Sequence, residues 1–197
     1  STDPSVNERV DKLEKALSFM PKISGYLQTG YVWNDKYAGN NSTFQMKRMR
    51  LILDKQISPM FDYRAQFEVF GTTTDGGNAV GKYKKKSMAL MDAFINVHFD
   101  KALHFRVGQY YLPIGFENYD SSPASLETID FSNICYRMVC RNPISSKDFI
   151  DYGRDLGVMA YGDLFPSSNQ KFNYLSYNLS VTNGNIITQV DDNKSKD

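Results

Sequence analysis

The sequence predicts an all-β protein of antiparallel strands preceded by one short helix, and two patterns carry this prediction. The first is a strict period of two, clearest in the segment FDYRAQFEVF, residues 61–70, where apolar residues alternate with charged or amide residues. Such a period places every second side chain on the same face of a strand, so one face is apolar and the other ionic. The second pattern is that this alternation recurs along the chain, between connections that are alternately long and short.

The first twenty residues predict an amphipathic helix. Its apolar positions are spaced by four, three, four and three residues, as in the seam of a short coiled coil: Val6, Val10, Leu13, Leu17 and Met20. A helix this short is marginal on its own in water. Two interpretations are open: the helix docks on its own domain, or it belongs to a small bundle formed by several copies of the chain.

Seven two-faced strands follow, at residues 21–34, 43–57, 61–70, 88–99, 103–111, 155–165 and 172–182. In an antiparallel meander, the alternation of long and short connections places every long loop at one end of the sheet and every tight turn at the other. Outer-membrane β-barrels have this asymmetry, with long extracellular loops and short periplasmic turns. The pattern therefore favours an antiparallel transmembrane β-barrel over the alternative, a soluble β-sandwich or lipocalin-like barrel.

Composition excludes several other classes of protein. No apolar run approaches the ~20 residues that a membrane-spanning helix needs, and a net charge of +1 argues against a nucleic-acid binder. The sequence contains no GxSxG, P-loop, HExxH or CxxC motif, so we expect neither an enzyme nor a cofactor. His98 and His104 flank a tight turn without a nearby ligand set in the sequence, and no metal site is predicted.

The longest irregular region is Leu112 to Gly153, far longer than an ordinary loop, and such loops are usually functional. Both cysteines of the chain, Cys135 and Cys140, lie in it. In an exported protein they either form a disulfide that stiffens the loop or remain two thiols.

Several segments carry a resemblance to a known family. They occur in the order KISGYLQTGY, FQMKRMRLIL, MDAFINVHF, GQYYLPIGFENYDSS, YGRDLGVMAYGDL and YNLSVTNGN. Together they resemble the N-terminal half of the phosphate-selective porin O and P family, in the form seen in Bacteroidetes-type bacteria. The most specific piece is GQYYLPIGFENYDSS followed by GRDLGV.

The resemblance implies a homotrimeric porin in the bacterial outer membrane, with lipid around it, that lets small anions such as phosphate diffuse passively. The family barrel has about sixteen strands, so we expect these residues to be part of a longer protein. Residues 1–20 would then be a periplasmic helix and residues 21–197 the N-terminal part of the barrel. By position, residues 112–153 would be the loop that folds inward and narrows the pore.

Six arginines are the candidate anion-binding residues: Arg48, Arg50, Arg64 and Arg106 on the polar strand faces, and Arg137 and Arg141 in the long loop. A guanidinium group keeps its charge and matches phosphate oxygens two at a time. The alternative for the strand arginines is structural, namely pairing with the acids on the same faces, which are Asp54, Asp62, Glu68 and Asp92. The loop arginines are the better pore candidates, because that loop should reach the constriction.

The rival function is a soluble β-sheet binding module for carbohydrate or another small ligand, with Tyr26, Tyr110 and Tyr161 as stacking platforms. The two functions differ in what covers the apolar faces of the strands. A porin exposes Phe67, Ile95, Val107 and Leu179 to lipid, whereas a soluble module buries them under a second layer of the same polypeptide.

Overall fold

The structure is a computed structural model that describes residues 4–33, 42–70, 72–74, 83–85, 88–121, 132, 134–135, 153–169 and 171–184. It begins with the helix α1, Pro4–Phe19. The strands are β1 (Lys22–Trp33), β2 (Ser42–Gln56), β3 (Phe61–Phe70), β4 (Thr72–Thr74), β5 (Tyr83–Lys85), β6 (Ala89–Asp100), β7 (Leu103–Tyr111), β8 (Arg154–Pro166) and β9 (Asn173–Thr182). A short helix, α2 (Phe116–Tyr119), follows β7.

Seven of these strands form one antiparallel sheet in the order β1-β2-β3-β6-β7-β8-β9. Each strand pairs with its neighbour along the chain, so the sheet is a meander. The seven predicted strands are confirmed, and every boundary falls within one residue of the prediction. Within the described residues, β1 and β9 each have one partner strand, so the sheet has two open edges there.

One connection differs from the prediction. The sequence predicts a long polar loop at residues 71–86, between the third and fourth strands, and β4 and β5 pair within it as a separate two-stranded antiparallel sheet. Three consecutive threonines form β4, and threonine favours the extended backbone because it is branched at Cβ. The connection between β3 and β6 therefore contains a second, smaller pair of strands.

The apolar side of the sheet is its exposed side. Ile95 and Val107, which face each other across β6 and β7, are each 48% exposed, and Leu179 on β9 is 68% exposed. Phe67 on β3 is half-buried. Among the described residues no second layer covers these side chains, so the soluble module lacks the layer that it requires. None of the described helices is long and apolar enough to cross a membrane.

The opposite side of the sheet carries the buried side chains, and most of them are polar. We call this side the inner face; its buried polar and charged residues include Arg48, Arg50, Gln66, Glu68, Asp92, Asn96 and Arg154. A water-soluble domain buries its apolar residues and keeps its charges outside. This sheet does the reverse, because its charges are sheltered and its aliphatic side chains are not.

A small apolar cluster interrupts the polar inner face. Phe94, Tyr110 and Met159 are buried together, and Tyr119 of α2 and Tyr161 of β8 pack against them. The Tyr119 hydroxyl also donates to Asn178 Oδ1 at 3.2 Å. The beginning of the long connection after β7 therefore lies against the inner face.

The two ends of that long connection are tied together. The Leu112 N–H donates to Gly153 O at 3.0 Å. The buried Asn118 side chain donates to Leu112 O at 2.9 Å and is 3.4 Å from Gly153 O. The connection therefore leaves and rejoins the sheet through a hydrogen-bonded base.

Beta-bulges adjust which side chains reach the inner face. The period-two alternation in residues 88–99 predicts that Met91 lies on the apolar side with Ile95. In the structure Met91 is fully buried, because the register between β3 and β6 shifts between Gln66 and Phe67. One extra residue on one strand reverses the alternation locally.

At Gly108, with φ of 131°, a Cβ atom would lie 2.2 Å from Ala93 O, so only glycine fits this close approach of β7 to β6.

A buried ion pair joins three strands at the end of the sheet where the long connections lie. Arg154, the first residue of β8, is fully buried and reaches across β7 to Asp92 on β6. Its Nε and Nη2 atoms lie 2.5 and 3.0 Å from the two carboxylate oxygens of Asp92. The guanidinium carbon is 3.5 Å from the ring centroid of Tyr111, the last residue of β7. The guanidinium is thus stacked on β7 while it binds β6.

We predict that Arg154→Ala destabilises the folded protein by ~3–5 kcal/mol, because it leaves the buried Asp92 carboxylate without its partner. The measurement is equilibrium unfolding in urea of the full-length protein in lipid vesicles. Arg64→Ala is the matched control, because its ion pair with Asp54 is about 44% and 33% exposed and such pairs contribute ~1 kcal/mol or less. Equal losses for both variants would contradict the prediction.

Candidate functional site

The candidate site is the inner face, which carries all four predicted strand arginines. The strands β2 and β3 are antiparallel neighbours, and even-numbered residues of one lie directly opposite even-numbered residues of the other as cross-strand pairs. Two of these pairs join an arginine to an acid: Arg50 is opposite Glu68, and Asp54 is opposite Arg64.

Arg50 on β2 links three strands, because its side chain binds residues of both β1 and β3. Its Nε atom is 2.8 Å from Glu68 Oε2, and its Nη1 atom donates to the Tyr26 hydroxyl on β1 at 2.8 Å. The other carboxylate oxygen of Glu68 accepts the Met49 N–H at 3.1 Å. Because arginine and acid are both buried and satisfied by fixed partners, this group stabilises the wall of the sheet.

The other two arginines of β2 and β3 are also engaged with neighbouring strands. Arg64 binds Asp54 through two hydrogen bonds of 2.7 and 3.2 Å at the end of the sheet where the tight turns lie. Arg48 is buried and donates from Nη1 to Gln28 Oε1 on β1 at 2.7 Å. Arg48, Arg50 and Arg64 thus join β1, β2 and β3.

Arg106 on β7 has a different environment. Its Nε atom donates to Asn96 Oδ1 at 2.8 Å, and its guanidinium carbon lies 4.2 Å from the ring centroid of Phe94 and 5.3 Å from that of Tyr161. Within the described residues, no carboxylate lies at ion-pair distance from this guanidinium. Arg106 is therefore held in place by aromatic rings and an amide, and no carboxylate of the described residues neutralises its positive charge directly.

The long connection reaches the same place. Tyr119 of α2 packs on the cluster beside Arg106. Burial raises the pKa of the Tyr119 hydroxyl above its usual value, and the positive charge of Arg106 partly offsets this effect. The hydroxyl therefore stays protonated at neutral pH, and its one proton is the one donated to Asn178 Oδ1.

The two histidines lie closer to other polar groups than we expected from the sequence. His98 Nδ1 is 2.9 Å from His104 Nδ1, and His98 Nε2 contacts the carboxylate of Asp62. Asn96 donates to the other oxygen of Asp62 at 2.7 Å, so its amide links this acid to Arg106. In the part of the chain that the structure describes, no group of three or more His, Cys, Asp or Glu residues converges on one metal position.

Three predicted site residues, Arg137, Arg141 and Cys140, lie outside the described residues. Cys135 is buried, and its N–H donates to Ser132 Oγ at 3.2 Å. The disulfide between Cys135 and Cys140 and the role of the loop arginines stay predictions.

Sequence reasoning missed Arg154 and Tyr111 as residues of the inner face. We predicted that the loop ends at residue 153 and the strand begins at residue 155, which left Arg154 in neither. A signal was present, because Asp92 lies on a polar strand face with no predicted arginine opposite it, and a sheltered acid needs a partner. That partner comes from β8, two strands away, and the spacing of residues in the sequence does not reveal it.

Comparison with protein families identifies the chain. The family model described as phosphate-selective porin O and P matches residues 22–141, more than half of the 197 residues. This segment includes all four strand arginines and α2, whereas Arg154 lies beyond it. Neither a curated protein nor a solved structure matches the chain significantly. With a family match over most of the sheet and an apolar exposed side opposite a polar inner face, the chain belongs to the phosphate-selective porin O and P family.

Proposed function

We propose that this outer-membrane porin lets small anions, phosphate among them, diffuse passively, and that Arg106 is a residue they contact on the way. The observation that carries the proposal is the environment of Arg106, a fixed guanidinium on the inner face without a carboxylate at ion-pair distance among the described residues. Arg50 and Arg64, by contrast, are paired with acids. An unneutralised cation in a confined aqueous path raises the local concentration of anions.

The position of Arg106 suits this role. It lies in the middle of β7, and Tyr119 of the long connection packs beside it. The path would therefore be narrow here, between the wall of the sheet and the beginning of the inward-folding loop 112–153. The family resemblance supports the same loop as the constriction, with Arg137 and Arg141 as further anion contacts in a complete barrel of about sixteen strands.

We predict that Arg106→Gln in the full-length protein lowers the anion-to-cation permeability ratio about five-fold. This factor corresponds to the ~1 kcal/mol of attraction between unit charges at 4 Å in water. The same substitution should weaken the block of chloride current by phosphate. Both quantities are measured as single-channel currents in planar bilayers.

The matched control is the double variant Asp54→Asn with Arg64→Gln, which removes one acid and one arginine of the inner face and leaves the net charge unchanged. It should leave the permeability ratio as it is in the parent protein. An unchanged ratio in Arg106→Gln, or an equal change in the control, would show that anions do not depend on Arg106.

The exposed side of the sheet is proposed to contact the lipid of the outer membrane. Exposed apolar surface is unfavourable in water and favourable in a bilayer. Val107→Arg should destabilise the folded protein by ~2–4 kcal/mol in lipid vesicles, the loss expected for a charge near the middle of the bilayer. Val107→Leu, which stays apolar, should have a small effect in the same urea titration. A similar stability of both variants would contradict lipid contact at this position.

The helix α1 is proposed to associate with the same helix of the other subunits of a homotrimer on the periplasmic side. Leu13 and Leu17 of the coiled-coil seam are 62% and 64% exposed. In a parallel coiled coil, Arg9 and Glu14 fall at facing g and e positions, so opposite charges of neighbouring copies meet. Copies inserted in one membrane share one orientation, which requires this parallel arrangement.

We predict that Glu14→Arg lowers the temperature at which the trimer dissociates in dodecyl sulfate gels, because it places like charges at this contact. Adding Arg9→Glu restores the opposite charges and should restore the dissociation temperature. If the single and double variants dissociate at the same temperature, α1 does not associate in this way.

A further inference from the structure

We propose that His98 and His104 together bind a divalent transition-metal ion that prefers imidazole ligands and tetragonal geometry, with Cu²⁺ as the strongest binder. Asp62 acts as a positioning residue for His98. The site lies on the inner face at the end of the sheet where the tight turns are, and it is independent of the passage of anions.

The backbone brings the two rings together through a bulge. A regular two-residue turn at Lys101 and Ala102 would pair Phe99 with His104, and His98 would then point to the other side of the sheet from His104. In the structure the register shifts between His98 and Asp100, so His98 is directly opposite His104. Bulges near functional sites commonly re-aim a side chain in this way.

The pair also occupies the position in the ladder where side chains come closest. The His98 N–H donates to Met60 O on the far side of β6 at 2.8 Å. Because the N–H and C=O of one strand residue point the same way, His98 and His104 form a non-hydrogen-bonded pair, the closer of the two kinds of antiparallel pair. Their ring centroids are 4.9 Å apart.

The hydrogen bonds define which nitrogen carries a proton. The carboxylate of Asp62 can only accept, so His98 Nε2 carries a proton and donates it there. In neutral His98 this leaves a lone pair on Nδ1, and His104 Nδ1 donates to it across 2.9 Å. When a metal ion binds, neutral His104 changes tautomer so that its one proton moves from Nδ1 to Nε2, and both Nδ1 lone pairs become ligands.

The distance between the two nitrogens suits cis ligands of one ion. With metal–nitrogen bonds of about 2.0–2.1 Å, nitrogens 2.9 Å apart subtend an angle of about 90° at the metal. This is the angle between neighbouring ligands in the tetragonal geometry of Cu²⁺ and Ni²⁺. The rings need only turn so that both lone pairs converge, and water fills the other coordination positions.

The surroundings already resemble the outer shell of a metal site. A histidine that binds a metal usually donates its other ring N–H to a carboxylate, which fixes its tautomer and orientation. Here Asp62 accepts from His98 and is itself held by Asn96 at 2.7 Å, while the ring of His104 packs on Tyr161 at 5.1 Å between centroids. The positive charge of Arg106, two residues after His104 on β7, disfavours binding of a cation, and the negative charge of Asp62 offsets this repulsion.

The test is titration of the full-length protein in detergent with Cu²⁺, followed by electron paramagnetic resonance. We expect one site whose spectrum shows coupling to two nitrogen ligands. His98→Gln and His104→Gln should each weaken binding more than ten-fold and remove the two-nitrogen signature. Ser176→Ala, at the same end of the sheet and outside the pair, is the control and should leave both unchanged. Mg²⁺, which prefers oxygen ligands, should not compete.

Asp62→Asn separates positioning from a purely structural role. The substitution removes the charge that orients His98, and loss of such a partner typically lowers metal affinity by about 10–100-fold while the ligands stay the same. We therefore expect weaker binding with the two-nitrogen spectrum retained. Binding that persists unchanged in the double variant of His98 and His104, or a parent protein that binds Cu²⁺ no better than this variant, would overturn the proposal.

Discussion

The alternation of side chains along each strand is the constraint on which the rest of this structure depends. A period of two gives every strand one apolar and one polar side, and antiparallel pairing in register aligns these sides over the seven strands of the main sheet. The backbone N–H and C=O groups of the strands between β1 and β9 bond to neighbouring strands on both sides. The polarity of each side of the sheet is therefore decided by side chains. The aliphatic residues of the exposed side suit contact with a bilayer, and the ion pairs of the inner face suit contact with water.

The charges of the inner face serve two purposes that the geometry separates. Arg50 with Glu68, Arg64 with Asp54 and Arg154 with Asp92 link neighbouring or next-neighbour strands, and their charges cancel. Such pairs fix the shape of the wall and add no net charge to it. Arg106 adds a positive charge, because among the described residues it is held by aromatic rings and an amide instead of a carboxylate. A mixed set of charges on the inner face is therefore compatible with a path that prefers anions.

Much of this fold could be predicted from the sequence, because period-two alternation and short turns are local signals. Met91 was placed on the wrong side, since a bulge is a property of two strands and the alternation of one strand does not show it. Arg154 was missed because its partner lies two strands away. The contact between His98 and His104 was overlooked although a signal existed. Both residues lie on polar strand faces, but a regular two-residue turn would put them on opposite sides of the sheet. They can share one side only if one strand contains an extra, bulged residue.

Asn118 closes the base of the long connection between β7 and β8. Its side chain holds Leu112 and Gly153 together, next to the pairing of Tyr111 with Arg154. These bonds fix the distance between the two points at which the connection leaves and rejoins the sheet. Residues at this base therefore help to set the register of β7 and β8, in addition to the ladder between the two strands.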